Sequence, residues 1–188
     1  MNRSHLVALA LLALSVLGGC AGTQRVGGDS PCPEWFGMLP EDPNYLFAAA
    51  TSTSRDLQLA VNKAKTDARR DLASQMELRI QGLTKKFDEE VGLGEDAELL
   101  ASFTQVTKEV VSQTLNGTRA REQDTTKEGT GWRACVLMEL PIGTANAALV
   151  DKIKANKAMY TRFRASQAFD ELEGEVEKYE EYKEKQGM

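Results

Sequence analysis

Residues 53–91 read TSRDLQLAVNKAKTDARRDLASQMELRIQGLTKKFDEEV and carry the longest regular pattern in this chain of 188 residues. Apolar side chains recur every three or four positions, with charged residues between them, which is typical of an amphipathic helix. The apolar positions are Val61, Ala64, Ala68, Leu72, Met76, Ile80, Leu83, Phe87 and Val91. Thr53 to Asp56 matches a capping box. The pattern predicts one helix of about nine turns that begins directly after this box.

The first half of this helix is rich in alanine, at positions 60, 64 and 68, and small side chains allow a helix to approach a sheet closely. Tyr45–Ala50 (YLFAAA) is a short apolar run whose length suits a buried strand. Trp132–Leu140 is the clearest strand, because its side chains alternate between two faces. One face carries Trp132, Ala134, Val136, Met138 and Leu140, and the other carries Arg133, Cys135, Leu137 and Glu139.

Two further elements complete the predicted fold. Asp96 to about Thr114 has apolar residues at helical spacing, and Asn116 to about Thr126 reads as a strand joined to the next one through the turn Gly129-Thr130-Gly131. We therefore predict an α/β fold of the α+β kind. It has a small open sheet of about three strands packed on the long helix, a second helix and a long C-terminal helix.

Residues 144–188 predict one very long amphipathic and acidic helix, or two helices with a bend. Its apolar stripe changes spacing between Phe163 and Phe169; its members are Leu149, Ile153, Tyr160, Phe163, Phe169, Leu172, Val176 and Tyr179. Two interpretations stay open at this point. The segment is either a solvated helix that extends past the domain, or an arm that binds a partner or self-associates as a coiled coil.

Residues 1–19 have the features of a signal peptide: Arg3 near the start, an apolar run at 6–17 and small residues before a cysteine. The run is shorter than the roughly 20 residues that a membrane-spanning helix needs. Leu17-Gly18-Gly19-Cys20 resembles the lipobox of bacterial lipoproteins, and this resemblance implies that Cys20 becomes the lipid-modified first residue of the mature chain. The alternative is an ordinary signal peptide whose cleavage site lies beside a cysteine.

Residues 20–31 begin with the expected lipidated Cys20 and continue with small, polar and glycine-rich residues. This composition predicts a flexible tether. Lipoproteins retained at the inner membrane commonly have aspartate after the modified cysteine, whereas this chain has Ala21. By that resemblance we predict a lipid anchor in the bacterial outer membrane, through acyl chains on Cys20, with the domain facing the periplasm.

Cys32 and Cys135 are the two cysteines that remain if Cys20 carries lipid. Disulfides persist in the oxidising periplasm, so we predict a Cys32–Cys135 bond. In the chain-entropy view, a disulfide that closes a loop of about 100 residues stabilises the folded state by up to about 4.7 kcal/mol. The alternative is a pair of buried free thiols that act as small apolar side chains.

The composition excludes several classes of function. A formal net charge of −5 argues against a nucleic-acid partner. The only histidine, His5, lies in the signal peptide, which excludes histidine-dependent catalysis and most zinc sites. The sequence has no Gly-x-Ser-x-Gly elbow and no phosphate-binding glycine loop. We predict no enzyme, no catalytic residue, no cofactor and no metal; a hydrolase that uses two carboxylates stays open as a further alternative.

A family resemblance covers Pro33 to about Leu140. It rests on Pro33-Glu34-Trp35-Phe36, on Tyr45 before the first strand, on the small residues of the long helix and on the final strand after a glycine-containing turn. These residues resemble the Lpp-twenty family of bacterial outer-membrane lipoproteins and the N-terminal domain of flagellar assembly protein T. The resemblance implies a small α/β domain backed by one long helix, with a role in the cell envelope.

Together these observations divide the chain into residues 1–19, residues 20–31, a domain at 32–143 and a C-terminal helix at 144–188. We predict a non-enzymatic envelope lipoprotein with a structural or assembly role through protein–protein contacts. The expected partner is an envelope protein, or a second copy bound through the C-terminal helix. The alternative is a periplasmic module that binds cell-wall glycan or a small ligand.

Overall fold

The computed structural model describes residues 31–187, and these residues form three strands and five helices. In chain order they are β1 (Tyr45–Ser54), α1 (Leu57–Val91), α2 (Ala97–Leu115), β2 (Arg119–Glu128), β3 (Gly131–Pro141), α3 (Ile142–Ala155), α4 (Lys157–Phe163) and α5 (Gln167–Gln186). Short 3-10 helices lie at Glu34–Phe36 and Leu93–Glu95. The predicted α+β class with a small open sheet is confirmed.

The sheet is antiparallel, with strand order β1-β3-β2. β3 is therefore the central strand: Glu139 lies opposite Phe47 on one side and opposite Arg119 on the other. The β2–β3 hairpin turns through Gly129 and Thr130, and Gly129 has a φ of 56°, a left-handed conformation that glycine adopts without strain. The predicted hairpin is thus confirmed.

α1 covers one face of the sheet and packs equally over β1 and β3. Ala60, Ala64 and Ala68 are fully buried in this interface, since their small side chains let the helix approach closely. The β3 side chains that face α1 are Ala134, Val136, Met138 and Leu140, as the alternation predicts. This layer is the main apolar core.

The start of α1 differs from the prediction. Thr53 and Ser54 continue β1 and pair with Arg133 and Trp132, so the capping box does not form at Thr53. Asp56 is the N-cap instead, and its carboxylate accepts a hydrogen bond of 2.7 Å from the Leu59 amide. Because Thr53 and Ser54 pair with β3, they belong to the strand, and Asp56, the next side-chain acceptor along the chain, caps the helix.

The C-terminal segment differs in detail from the predicted single long helix at 144–188, or two helices with a bend, because it forms three helices. α3, α4 and α5 fold back onto the domain, and the described residues 31–187 form one compact unit. Asn156 caps α4 through the amides of Ala158 and Met159, and Ser166 caps α5 through the Phe169 amide. The change of spacing between Phe163 and Phe169 in the apolar stripe is the break between α4 and α5.

Three phenylalanines join the second half of α1 to α2 and α4. Phe87 stacks on Phe163 with ring centroids 4.2 Å apart, and Phe103 meets each of them edge to face at 5.5 Å. All three side chains are fully buried. This cluster is the second part of the core, beyond the end of the sheet.

The predicted signal peptide, Cys20 and the tether up to residue 30 lie outside the described residues. Within residues 31–187, no helix combines the length and the apolar character needed to cross a bilayer.

Candidate interaction surface

The two predicted cysteines are joined. Cys32 and Cys135 form a disulfide with their Cα atoms 5.7 Å apart, across a sequence separation of 103 residues. Cys135 belongs to the face of β3 that points away from α1, so the bond fixes the N-terminal end of the described chain to that second face.

A buried ion-pair cluster lies on the same second face. Glu139 of β3 has a side chain only 4% exposed, and it accepts hydrogen bonds from Arg119 Nε and, at 3.3 Å, from Arg121 Nη1. The ladder between β2 and β3 shifts register between Ala120 and Glu122, and this bulge brings Arg121 to the same carboxylate as Arg119. The hydrogen bond and charge of Glu139 raise the pKa of Arg119.

Aromatic rings extend this cluster toward α5. The Arg121 guanidinium lies 5.3 Å from the centre of the Phe47 ring, and Tyr45 stacks on Phe47 and meets Tyr182 edge to face. Burial, and next the neighbouring Tyr182, raise the pKa of Tyr45. All the buried side-chain polar atoms in residues 31–187 have partners, so this cluster offers a ligand no unpaired buried group. We interpret it as structural: it ties β2 and α5 to the second face.

The two edges of the sheet differ in chemistry. β2 carries Arg119, Arg121, Glu122, Asp124, Lys127 and Glu128 among its ten residues, and it also has the bulge. Charges and bulges are the usual means of preventing a strand edge from pairing with another chain. β1 (YLFAAATSTS) is equally long and has neither a charged residue nor a proline. The β1 edge therefore lacks the protection that the β2 edge has.

Only the first part of the β1 edge is occupied by the described chain. The Tyr45 amide donates to the Asp42 carbonyl at 3.2 Å, and the Phe47 carbonyl accepts from Gln75 Nε2 at 3.0 Å. Since the backbone groups of alternate residues point to the same side of a strand, those of Ala49, Thr51 and Thr53 also point outward, away from β3. They form a short ladder that another strand can extend.

An exposed apolar side chain flanks the first part of this ladder. Leu39 shares a groove of about 580 Å³ with Leu46 and Phe47. On α1, the Gln75 side chain reaches the β1 edge, and residues four apart share a helix face, so Lys63, Asp67, Asp71 and Gln75 lie on the β1 side of α1. We call the outward backbone of residues 49–53 together with Leu39 and this row of α1 the β1 edge surface.

The other concave sites show less organisation. A cleft of about 780 Å³ between the start of α2 and α4 is lined by mixed charges and no aromatic ring. A pocket of about 210 Å³ between α1, α3 and α5 lies beneath the ion pairs Arg79–Glu175 and Lys86–Glu171. Among the described residues, no group of three His, Cys, Asp or Glu side chains is placed to hold a metal ion.

The sequence analysis placed the expected contact region on the C-terminal segment and did not consider the β1 edge. The apolar stripe of α3–α5 is largely buried against the domain, with Phe169 and Leu172 nearly inaccessible. The absence of charge in Tyr45–Ser54 was the available signal, but only the strand order reveals that β1 is an edge.

No protein-family model, no curated protein and no solved structure matches this chain.

Proposed function

We propose that this chain is a lipid-anchored lipoprotein of the bacterial outer membrane, with a non-enzymatic structural or assembly role in the periplasm. The observation that carries the proposal is Leu17-Gly18-Gly19-Cys20 at the end of a signal-like segment. The lack of histidine beyond His5 and the resemblance to the Lpp-twenty family support it. Its partners are the membrane, through acyl chains on Cys20, and protein, through the β1 edge surface.

The β1 edge surface replaces the C-terminal helix as the proposed contact region. Edge strands bind other proteins by adding a strand, in which backbone hydrogen bonds supply affinity and flanking side chains supply specificity. Ala49, Thr51 and Thr53 offer the backbone groups, and Leu39 offers an apolar contact beside the first part of the strand.

Fractionation of cells that express Cys20→Ala tests the anchor. We expect the variant to leave the membrane fraction and to accumulate as an uncleaved precursor, because the acyl chains provide the attachment. The matched control is Cys32→Ala/Cys135→Ala, which loses the other two cysteines and should stay in the membrane fraction. Unchanged attachment of Cys20→Ala would refute lipidation.

Photo-crosslinking in cells tests the contact region. A crosslinking residue at Thr53 on β1 is compared with one at Thr125 on the β2 edge. We expect protein adducts from Thr53 and few from Thr125, since only the β1 edge is free of charge. Equal labelling from both edges, or none from Thr53, would remove the β1 edge surface from the proposal.

One observation favours a second function, the binding of cell-wall glycan. The groove beside β1 places the partly exposed ring of Tyr45 near Glu41 and Asp42, and ligand sites combine aromatic walls with a few polar groups. Cosedimentation of the protein with purified sacculi tests this function. Retention that Tyr45→Ala abolishes would support glycan binding, and no retention of the wild type would exclude it.

A further inference from the structure

We propose that the β1 edge surface binds the same surface of a second copy of this chain. β1 of one copy pairs antiparallel with β1 of the other, which gives a continuous sheet in the order β2-β3-β1-β1-β3-β2. The inference rests on the proposed function, since it names the partner of the contact region proposed above.

The edge is suited to pairing with itself. Like charges placed directly opposite each other destabilise a strand pair, and identical antiparallel strands place each residue opposite its own kind near the two-fold axis. Residues 48–53 are Ala-Ala-Ala-Thr-Ser-Thr, so no charge meets its own copy there. The β2 edge is not suited to pairing with itself, because six of its ten residues are charged.

The position of α1 matches this arrangement. α1 lies over β1 and β3 equally, so its axis runs about half a strand spacing inside β1. With strands about 4.8 Å apart, pairing of two β1 edges places the two α1 helices about 9–10 Å apart. Packed helices lie at such distances. A second copy therefore brings a helix that covers the exposed side of α1, which a lone peptide strand does not.

The side chains on the β1 side of α1 are complementary in an antiparallel pair. That side carries Lys63, Asp67, Asp71 and Gln75, because residues four apart share a helix face and Gln75 reaches the β1 edge. Residue 67 lies beside residues 50–51 of β1, at about 1.5 Å per helix residue and 3.3 Å per strand residue. An axis at this point places Asp71 near Lys63 of the second copy.

Asp67 lies close to the axis, and Arg70 balances its charge within each copy at 2.9 Å. The charged contacts between Lys63 and Asp71 therefore lie on either side of the axis, on the side of α1 that faces the β1 edge.

The membrane anchor agrees with this symmetry. An antiparallel strand pair within one sheet has its two-fold axis perpendicular to the sheet, so both copies present the same face on the same side. Cys32 is bonded to Cys135 on the face opposite α1. Both tethers then leave from one face of the continuous sheet, and both anchors can enter the same membrane.

Co-purification of two differently tagged full-length copies from one cell tests the inference. We expect wild-type copies to co-purify and Thr51→Pro to lower the yield by about tenfold or more, because proline removes an outward amide from β1 without touching the β3 ladder. The matched control is Thr125→Pro at an outward position of β2, which should retain wild-type yield. Retention by Thr51→Pro, or equal loss in both variants, would overturn the inference.

A second pair of variants does not depend on the strand. Asp71→Lys should lower co-purification, because it places a lysine near Lys63 of the second copy, whereas Glu77→Lys should not, because Glu77 is exposed on the β2 side of α1. Equal effects would overturn the inference. Membrane fractionation of the same cells separates the two proposals. If the copies do not co-purify but the protein stays in the membrane fraction and Thr53 crosslinks to a foreign protein, only the proposal of a second copy as the partner is refuted.

Discussion

The ring of Tyr179 on α5 lies directly against Gly143 at the start of α3, so closely that a Cβ at position 143 would overlap it. The Tyr179 hydroxyl is 2.9 Å from Thr144 Oγ1. This contact explains why the C-terminal segment is not a free arm: the only side chain that admits the tyrosine ring at this point is the hydrogen of glycine.

Gly143→Ala should therefore destabilise the protein by about 1–3 kcal/mol, the usual range for an added methyl group in a filled site. Urea unfolding measures the effect. Gly174→Ala is the matched control, because a Cβ there meets nothing within 4 Å. Gly174 lies inside α5, so its replacement should stabilise the protein by about 0.5–1 kcal/mol. Equal effects of the two variants would show that Tyr179 does not dock on α3 in solution.

Phe163→Ala should destabilise the protein by about 3–5 kcal/mol, since it removes the ring that contacts both Phe87 and Phe103 and leaves a cavity. Urea unfolding again measures the change. Tyr160→Ala on the same short helix is the control. Because Tyr160 is partly exposed, its replacement should lower the free energy of unfolding by less. A similar loss in both variants would contradict the central position of Phe163.

Replacing Arg119 and Arg121 together by methionine should destabilise the protein by about 1–3 kcal/mol, because the carboxylate of Glu139, which is only 4% exposed, then loses both of its cationic partners. Adding Glu139→Met should recover much of the loss. The control is Arg133→Met. Arg133 Nη2 donates to the exposed carboxylate of Glu128 at 2.9 Å, and the loss of this surface ion pair should lower the free energy of unfolding by about 1 kcal/mol or less. Thermal unfolding of the three variants would contradict the argument if the triple variant were the least stable.

The Cys32–Cys135 bond predicts that the mature protein has no free thiol until it is reduced. Reduction should lower the free energy of unfolding by about 2–5 kcal/mol. Thiol titration with and without denaturant, followed by urea unfolding with and without reductant, measures both. The Cys32→Ala/Cys135→Ala variant should not respond to reductant, and a wild type that also fails to respond would contradict the bond.

Contacts between α1 and α5 should weaken in acid. The hydrogen bond from Lys86 at 2.7 Å, and next the one from Gln167, lower the pKa of Glu171 below its ordinary value of 4.5. A lowered folded-state pKa means that the contribution of the pair is complete above about pH 4.5 and is lost as the pH falls through the folded-state pKa.

Hydrogen exchange of α5 at pH 6 and pH 3 measures this loss. We expect Glu171→Gln to reduce the difference between the two pH values, and Glu177→Gln on the exposed side of the same helix to leave it unchanged. An equal pH response in Glu171→Gln and the wild type would exclude this pair as the cause.

The sequence predicts those elements whose signal is local. α1, α2 and β3 follow from apolar spacing in their own residues, and the hairpin follows from the glycine turn. The change of spacing between Phe163 and Phe169 was a signal for the break at Ser166, whereas the break at Asn156 is harder to predict, because the apolar spacing continues across it and Asn156 is neither a proline nor a glycine. A helix boundary here depends on tertiary contacts such as that of Tyr179 with Gly143.

The candidate surface depends on pairing that no single segment encodes. Alternation places Glu139 on the second face of β3, but its partners Arg119 and Arg121 converge only because of the bulge in β2. In the same way, the lack of charge in β1 becomes informative only when the strand order places β1 at an edge. Cys32 and Cys135 are 103 residues apart, and only the fold brings them together.

The disulfide also determines how the domain carries mechanical load. If the proposed lipid anchor on Cys20 is present, tension on it would enter at Cys32 and pass through the sulfur atoms directly to Cys135 in the central strand. β1, α1, α2 and β2 all lie between these two cysteines in the chain, so they form a covalently closed loop that bears no tension. A force on the tether would therefore pull on β3 between its two neighbours, and the strands would have to slide past each other rather than peel apart one hydrogen bond at a time.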